Sequence, residues 1–377
     1  MRKFFSQLFL LFKIIIVILF IGGISYYIID KIQEKNNLMD IEEYSPKSTL
    51  VIKQTPVKRA KYSFVDVHNH QFDMPIKDLN KLVTEMDSLN MGFMINLSGY
   101  RGLYLKKSLE NIQENAPKRF GLFLNIDFET IDDKDFVSTQ IALIDSAAAA
   151  GVMGLKVYKS LGLTDLDSEG NRIAVNDSRL DAIWNACGEN GIPVLIHSGE
   201  PVSFWNPKDK FNERWLELRQ KPSRYRDPQT NPSFETVIAE QHDIFRKHPN
   251  TTFINAHLGW MGNDLDRLEN HLATYPNVMT EIGAVLAELG RQPKRARQFF
   301  VRYQDRILFG KDSYNVSEYY TYFRVLETDD EYFDYYRKRH AHWKMYGLAL
   351  PDSILQKLYY KNALELFPSI DQSLFKL

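Results

Sequence analysis

The order of hydrophobic and polar positions changes along the chain in a repeating way. From residue 62 onward, short apolar runs alternate with longer amphipathic segments. This alternation is typical of β/α units that build a parallel sheet, and eight such pairs predict a (β/α)8 TIM barrel of the α/β class. The predicted strands are 63–68, 92–97, 120–126, 153–158, 193–197, 252–257, 278–281 and 307–310.

Amphipathic patterns between these runs predict the helices. They cover 76–90, 133–150, 177–190, 234–247, 263–275, 293–303 and 352–366. The connections 199–232 and 313–350 are too long for simple turns and follow the C-terminal ends of strands, where barrel active sites form. We therefore expect them to cover a substrate. Their many aromatic side chains either line a pocket or only pack the loops onto the barrel.

The N-terminus carries an apolar run of a different kind. Residues 14–29 are uncharged, and with the apolar residues 8–12 they reach the ~20 residues that span a bilayer. Arg2 and Lys3 precede the run, which predicts a cytoplasmic N-terminus and a single-pass protein whose catalytic domain lies on the non-cytoplasmic side. The alternative is export after cleavage of a signal peptide, but the run ends through Tyr26, Tyr27, Ile28 and Ile29 without the small-residue cleavage pattern of such peptides.

The domain organisation follows from these patterns. We predict a membrane anchor at 1–30, a polar linker at 31–61 and a barrel at 62–377. The chain of 377 residues carries a net charge of −1 and no long basic block, so it lacks the field that nucleic-acid binding needs. The one cysteine excludes an intrachain disulfide framework and a multi-cysteine zinc site. The oligomeric state does not follow from the sequence.

Histidine and aspartate residues stand where predicted strands end. The first strand leads to His68 and His70, whose side chains point the same way because strand side chains alternate, so both can hold one metal ion. The fifth and sixth strands end on His197 and His257, and the eighth leads into Asp312. All five therefore fall on the face where barrels of this kind place catalysis.

The ordered set of motifs identifies a resemblance. From about Phe64 to Pro368 the chain resembles the amidohydrolase superfamily, in particular the amidohydrolase-related branch that includes aminocarboxymuconate-semialdehyde decarboxylase-like enzymes. The motifs are Asp66-Val67-His68-Asn69-His70, Ile196-His197-Ser198-Gly199-Glu200-Pro201, Ala256-His257-Leu258-Gly259-Trp260, Leu308-Phe309-Gly310-Lys311-Asp312 and Lys361-Asn362-Ala363.

This resemblance implies a metal centre and roles for its residues. His68, His70, His197 and Asp312 would coordinate one divalent ion, with Zn2+ preferred and Mn2+, Fe2+ or Co2+ also compatible. His257 would contact the activated water or the substrate oxygen. Asp312 would also take the proton of that water and pass it to the leaving group.

Four further residues are candidate substrate contacts. Lys156 lies in the fourth strand, where some relatives carry a carboxylated lysine that bridges two metals. It would otherwise bind a substrate carboxylate or form an internal ion pair. Arg101, Arg291 and Glu200 follow the second, seventh and fifth strands. They would either hold the substrate or form salt bridges between loops.

Three functions remain open from the sequence. The first is hydrolysis of a C–N or ester-type bond of a small molecule by water that a metal activates. The second is nonoxidative decarboxylation of an aromatic or unsaturated acid on the same ligands. The third is a membrane-tethered binding protein without catalysis, which the complete set of histidines and Asp312 disfavours.

Overall fold

A computed structural model describes residues 1–36, 38–41, 43–339 and 343–375. The chain divides into two compact units, Met1–Val51 and Ile52–Leu377. The first unit contains helix α1 (Arg2–Asn36). Within it, the segment Phe4–Lys35 has 32 residues and a mean hydropathy of 2.7, and is long and apolar enough to cross a membrane. The segment lies near the N-terminus, where an apolar helix can also be a signal sequence, so this helix is a candidate for either role.

The second unit is built around an eight-stranded sheet. Its strands follow one another in chain order, β1 to β8, and each pair is parallel. They are β1 (Phe64–Asn69), β2 (Met91–Asn96), β3 (Phe120–Leu124), β4 (Gly154–Val157), β5 (Val194–Ile196), β6 (Phe253–Asn255), β7 (Val278–Glu281) and β8 (Ile307–Leu308). Each overlaps a predicted strand, and the predicted TIM barrel is confirmed.

Hydrogen bonds between β1 and β8 close the barrel. The Val67 amide donates to the Phe309 carbonyl at 3.0 Å, and the Asp312 amide donates to the His68 carbonyl at 2.6 Å. The rings of Phe64 and Phe309 meet edge to face beside this seam, with centroids 4.8 Å apart. Burial of these large apolar rings stabilises the closure. Closure places the first and last strand ends side by side, although more than 240 residues separate them.

Helices surround the sheet on the outside. Those of the first half are α2 (Leu79–Leu89), α3 (Gly102–Asn115), α4 (Phe136–Ala149), α5 (Asp181–Glu189), α6 (Trp215–Gln220) and α7 (Phe234–Lys247). Those of the second half are α8 (Leu265–Thr274), α9 (Leu286–Arg291), α10 (Pro293–Arg302), α11 (Val316–Glu327), α12 (Asp352–Gln356) and α13 (Asn362–Leu366). A π-helical turn at Lys357–Lys361 joins the last two.

The two long connections contain more structure than their sequence suggests. The first holds α6, and the second holds α11 and a short antiparallel hairpin of β9 (Phe333–Asp334) and β10 (Lys344–Met345). Residues 340–342 of the second connection lie outside the described residues. Tyr319 and Tyr322 of α11 are fully buried, so these aromatic side chains pack the loop onto the barrel.

The segment before β1 is part of the barrel unit. The backbone amide and the hydroxyl of Thr55 donate to the Asp330 carboxylate at 2.5 and 2.8 Å, and the Ala60 amide donates to the Leu89 carbonyl at 3.1 Å. The sequence assigns these residues to the polar linker. In the structure, the compact unit already begins at Ile52.

Candidate metal centre

The five candidate residues converge at the C-terminal ends of the strands. His68 lies in β1, His70 follows it, His197 follows β5, His257 follows β6 and Asp312 follows β8. The Nε2 atoms of His68 and His70 lie 3.5 and 3.7 Å from Asp312 Oδ1. Nε2 of His257 lies 3.2 Å from Nδ1 of His197. The structure therefore brings together all five side chains that the sequence places at strand ends.

Three of these side chains form the tightest group. One ligand atom from each of His68, His257 and Asp312 lies within 4.8 Å of the others. His70 adjoins this group through Asp312, and His197 adjoins it through His257. Two imidazole nitrogens at 3.2 Å either share one proton or, when both lack a proton, face a common cation.

Glu281, at the end of β7, orients two of the histidines. Its Oε1 accepts a hydrogen bond from His68 Nδ1 at 2.9 Å and another from the His257 amide at 2.6 Å. Its Oε2 accepts one from the Gly283 amide at 2.5 Å. A carboxylate only accepts, so Nδ1 of His68 carries the proton and its Nε2 carries the free electron pair. That Nε2 is buried and has no hydrogen-bond partner among the described residues.

The backbone at His257 and Asp312 is left-handed. The φ angles are 58° at His257 and 79° at Asp312, and residues other than glycine rarely adopt such values. His257 is fixed by its amide bond to Glu281 and by Nδ1, which donates to the Gly283 carbonyl at 2.7 Å. Such positions persist where surrounding bonds over-determine them, and they cluster at functional sites.

His70 is held from the outside of the site. Its Nδ1 lies 2.8 Å from the Ser98 hydroxyl, which lies 3.1 Å from the Tyr158 hydroxyl. The ring stacks between Phe72 and Tyr158, with centroid distances of 5.6 and 5.9 Å. These contacts leave Nε2 of His70 facing Asp312. An outer partner of this kind commonly fixes the orientation of a metal-binding histidine.

The charge states suit a cation. Burial, then the nearby Lys156 ammonium, lowers the pKa of His70 to about 4 and that of His68 well below its ordinary value. Burial raises the pKa of the Asp312 carboxyl, but the positive electrostatic potential of the surrounding histidine rings and of Lys156 outweighs it and holds the pKa at about 2. Neutral imidazoles and an ionised carboxylate are the forms that ligate metal ions. The free Nε2 of His68 is where such an ion would find a ligand.

Lys156, in β4, acts electrostatically on His68 and His70. Its side chain is 1% exposed, and its Nζ has no hydrogen-bond partner among the described residues. Burial lowers the pKa of this ammonium group to about 7, against the attraction of Asp312 and Glu281. Among the described residues no carboxylate accepts a hydrogen bond from Lys156 Nζ, so the internal ion pair considered for it does not form as a direct contact.

A cavity opens beside the metal-binding group. His197, His257, Asp312 and Trp260 form one part of its wall, and Glu200 forms another. The cavity therefore gives a substrate direct access to the candidate centre.

The remaining predicted substrate contacts are distributed unevenly. Glu200 lines the cavity and pairs there with Lys159 and Arg226. Arg101 pairs with Asp127 on the outside, and Arg291 pairs with Glu213 and lies 3.6 Å from the Trp343 ring centroid. Neither arginine is among the described residues that line the cavity.

Glu281 is a functional residue that the sequence analysis does not predict. Its position at the end of a predicted strand, like that of the histidines, is the feature of the sequence that indicates a place in the site. The cationic side chains of the cavity, Lys159, Arg214, Arg224 and Arg337, were also not singled out. The last three lie in the two long connections, whose conformation has no repeating pattern.

Comparisons with known proteins agree with this architecture. A family model described as Amidohydrolase matches residues 111–369. No curated protein matches the chain significantly. A dihydroxybenzoic acid decarboxylase from a Polaromonas species, solved with bound manganese and the inhibitor 2-nitroresorcinol, has a TM-score of 0.51 at 12% identity and covers 83% of this chain and 99% of its own.

Two further solved structures are similar at lower scores. A 2,6-dihydroxybenzoate decarboxylase from Rhizobium has a TM-score of 0.47 at 14% identity and covers 81% of this chain and 99% of its own. An amidohydrolase from Burkholderia multivorans has a TM-score of 0.47 at 12% identity with the same coverage. At these identities the likeness concerns the fold.

Proposed function

Because the chain belongs to the amidohydrolase family, we propose that it is a metal-dependent hydrolase that cleaves a C–N or ester-type bond of a small molecule. The observation that carries this proposal is the free Nε2 of His68, which is buried 3.5 Å from Asp312 Oδ1 and has no hydrogen-bond partner among the described residues. A buried nitrogen with an available electron pair costs free energy unless a cation or donor meets it. A divalent ion fits that position.

The proposed ligands are His68, His70, His197 and Asp312, with His257 beside them. Imidazole nitrogens with one carboxylate suit Zn2+, which is our preferred ion, and also suit Mn2+, Fe2+ or Co2+. A divalent ion held there would lower the pKa of a water to about 7 and so supply hydroxide at neutral pH.

The residues of this chain would transfer the proton, orient the reacting groups and hold the ligands in position. Asp312, ionised at neutral pH, accepts a proton from the attacking water at its carboxylate and returns it to the leaving group. His257 Nδ1 donates to the Gly283 carbonyl, so its Nε2 carries the free electron pair and accepts a hydrogen bond from the attacking water. Glu281 keeps His68 and His257 in position without touching the substrate.

We also propose that α1 is an uncleaved single-pass anchor and that the barrel lies on the non-cytoplasmic side. The segment Phe4–Lys35 has the required length and hydropathy, and Arg2 and Lys3 precede its apolar core. No small-residue cleavage pattern follows the apolar run. The substrate would therefore be a small molecule found outside the cytoplasm.

The metal proposal is tested by elemental analysis of the full chain beside variants. We expect one divalent ion in the wild-type protein, its loss in His68→Ala and Asp312→Asn, and its retention in Asp305→Asn. Asp305 is a matched control because its carboxylate pairs with Lys357 on the surface and its side chain is 65% exposed. A wild-type protein that binds no divalent ion under reconstitution would refute the proposal.

Hydrolysis and nonoxidative decarboxylation are separated by the fate of solvent oxygen. Turnover of candidate amides, esters and lactones in water labelled with heavy oxygen should place the label in the organic product. An unlabelled organic product together with released carbon dioxide would instead establish decarboxylation. In both cases Asp312→Asn should remove turnover, because the carboxylate moves the proton in either reaction.

A further inference from the structure

The loops around the cavity carry an excess of positive charge. Six basic side chains, which we call the cation cluster, come from the connections after β4, β5 and β8. They are Lys159, Arg214, Arg224, Arg226, Lys311 and Arg337. Lys159, Arg214, Arg224 and Arg337 line the cavity directly.

The acids around the cavity are shared between these bases. Glu200 lies 2.5 Å from Lys159 Nζ and 3.1 Å from Arg226 Nη2. One carboxylate therefore faces two cations on this side. The Glu200 side chain is only 4% exposed, so water screens the remaining positive charge poorly.

The same arrangement recurs at two other glutamates. Glu217 contacts both Arg214 and Arg224. Glu318 lies 2.6 Å from Lys311 Nζ and 3.1 Å from Arg337 Nη2. Glu288 adds a second acid beside Arg214, at 2.5 Å. Six cations thus share four glutamates, and with the ionised Asp312 in the cavity wall one positive charge remains in excess.

Two buried arginines each have one N–H group without a hydrogen-bond partner among the described residues. Arg214 is 2% exposed and Arg226 is 9% exposed. The Nε atom of each has no hydrogen-bond partner among the described residues. A buried guanidinium N–H that lacks a partner is costly, and an oxyanion in the cavity would satisfy that of Arg214, which lines the cavity.

The positive field extends to the outer side of the cavity. Repulsion from Arg224, then from Arg339, lowers the pKa of the nearby Lys221 ammonium group. Arg224 is itself a cavity residue. A substrate that approaches this side would therefore meet a surface attractive to negative charge.

We propose that the cavity binds substrates that carry an oxyanion, a carboxylate or a phosphate, on the cation cluster. Arg224 and Arg337 contact this group, while the bond to be cleaved lies at His257 and Asp312. Planar guanidinium groups match both oxyanions through paired N–H donors. This inference rests on the proposed function for its catalytic half, whereas anion binding by the cluster is measurable without catalysis.

The test uses the metal-loaded full chain in detergent, with inorganic phosphate and glutarate as separate probes. Binding is measured by calorimetry and by the shift of thermal unfolding at constant ionic strength. The informative variants are Arg224→Gln and Arg337→Gln. Arg246→Gln is the matched control, because Arg246 lies on α7 with its side chain 66% exposed.

We expect at least one probe to bind the wild-type protein and Arg246→Gln equally. Its affinity should fall about tenfold or more in Arg224→Gln and in Arg337→Gln, because each removes a charge-assisted hydrogen bond. Arg337→Lys should recover part of the loss. The probe that binds identifies the oxyanion as a phosphate or a carboxylate.

Other outcomes would overturn the inference. Failure of both probes to bind would refute it, as would unchanged affinity in both glutamine variants that fold normally. A probe that loses its affinity only in Asp312→Asn would be bound by the metal and not by the arginines. Conversely, anion binding by a protein that holds no metal would leave this inference intact while the proposed function failed.

Discussion

Glu281 Oε1 lies 2.9 Å from His68 Nδ1 in a part of the barrel where both side chains are fully buried. The same oxygen accepts the backbone amide of His257 at 2.6 Å. The Glu281 carboxylate therefore fixes both the His68 ring in β1 and the backbone of His257 after β6. We regard it as the positioning residue of the candidate metal centre, since it leaves Nε2 of His68 free for an ion.

The first prediction concerns this carboxylate. Glu281→Gln places an amide NH2 against the donors His68 Nδ1, His257 N and Gly283 N, so at least one hydrogen bond is lost whichever way the amide turns. We expect metal affinity to fall about 10- to 100-fold, as for other outer partners of metal ligands. Competition with a chelator of known affinity measures the change.

Glu235→Gln provides the control for this experiment. Glu235 pairs with Arg267 on the surface and its side chain is 68% exposed, so metal affinity should not change. Wild-type affinity in Glu281→Gln would show that the carboxylate does not position His68 for an ion.

A second prediction concerns Gly310, whose backbone lies close to both Glu281 and His68. A Cβ at this position would stand 2.2 Å from Glu281 Oε2 and 2.8 Å from His68 Cβ. Gly310→Ala must displace one of these buried groups. We expect a loss of about 1–3 kcal/mol in the free energy of unfolding, together with weaker metal binding. Urea unfolding and metal titration of the same sample test both parts, and normal values in both would contradict the packing described.

Acid should weaken the interface of α7 and α8 through His271. This residue is 4% exposed, and its ring lies 4.3 Å from that of His242. Burial, then the neighbouring His242, lowers its pKa from 6.5 to about 3. The unfolded chain binds the proton first, so the stabilisation is complete above pH 6.5 and is lost as the pH falls towards 3.

At pH 5, protonation of His271 in the unfolded chain should lower the free energy of unfolding by about 2 kcal/mol. Urea unfolding at pH 7 and pH 5 measures the loss. His271→Gln removes the titrating group, so its loss over this range should be smaller by that amount. An identical pH dependence in the two proteins would assign the acid sensitivity to other groups.

The beginning of the barrel unit leads to a fourth prediction. A chain that starts at Tyr62 lacks Thr55, which supplies two donors to the buried Asp330. We expect it to unfold about 1–3 kcal/mol more easily than a chain that starts at Ile52. Arg324 still contacts Asp330 at 2.8 Å, so the shorter chain should fold. Equal stability would show that residues 52–61 contribute no net free energy to the barrel.

The fate of α1 is measured on the expressed full chain. We expect the protein to stay in the membrane fraction after an alkaline carbonate wash and to keep the mass of the complete sequence. A mature protein that lacks the segment before the polar region would instead identify α1 as a cleaved signal sequence. Protease added to intact spheroplasts should reach the barrel only if it lies outside the cytoplasm.

Several features of the site were predictable because each depends on local sequence. The alternation of His68 and His70 follows from the strand period, and the strand ends at His197, His257 and Asp312 follow from the apolar runs. Because the strands are parallel, their C-terminal ends lie on one face of the barrel, and these five residues therefore lie close together. Arg101 and Arg291 also follow strands, but they turn outward to Asp127 and Glu213. Side-chain direction after a strand end depends on loop conformation, which the pattern does not specify.

The sequence by itself determined the barrel, the apolar N-terminal helix and the five strand-end residues, because hydrophobic periodicity and strand order are local properties. Only the tertiary structure decided that Asp312 meets His68 across the closed seam, that Glu281 holds two histidines, and that three arginines of the long connections line the cavity. These relationships depend on barrel closure and on loop packing. Both are set by contacts between residues far apart in the chain, for which local sequence carries no period.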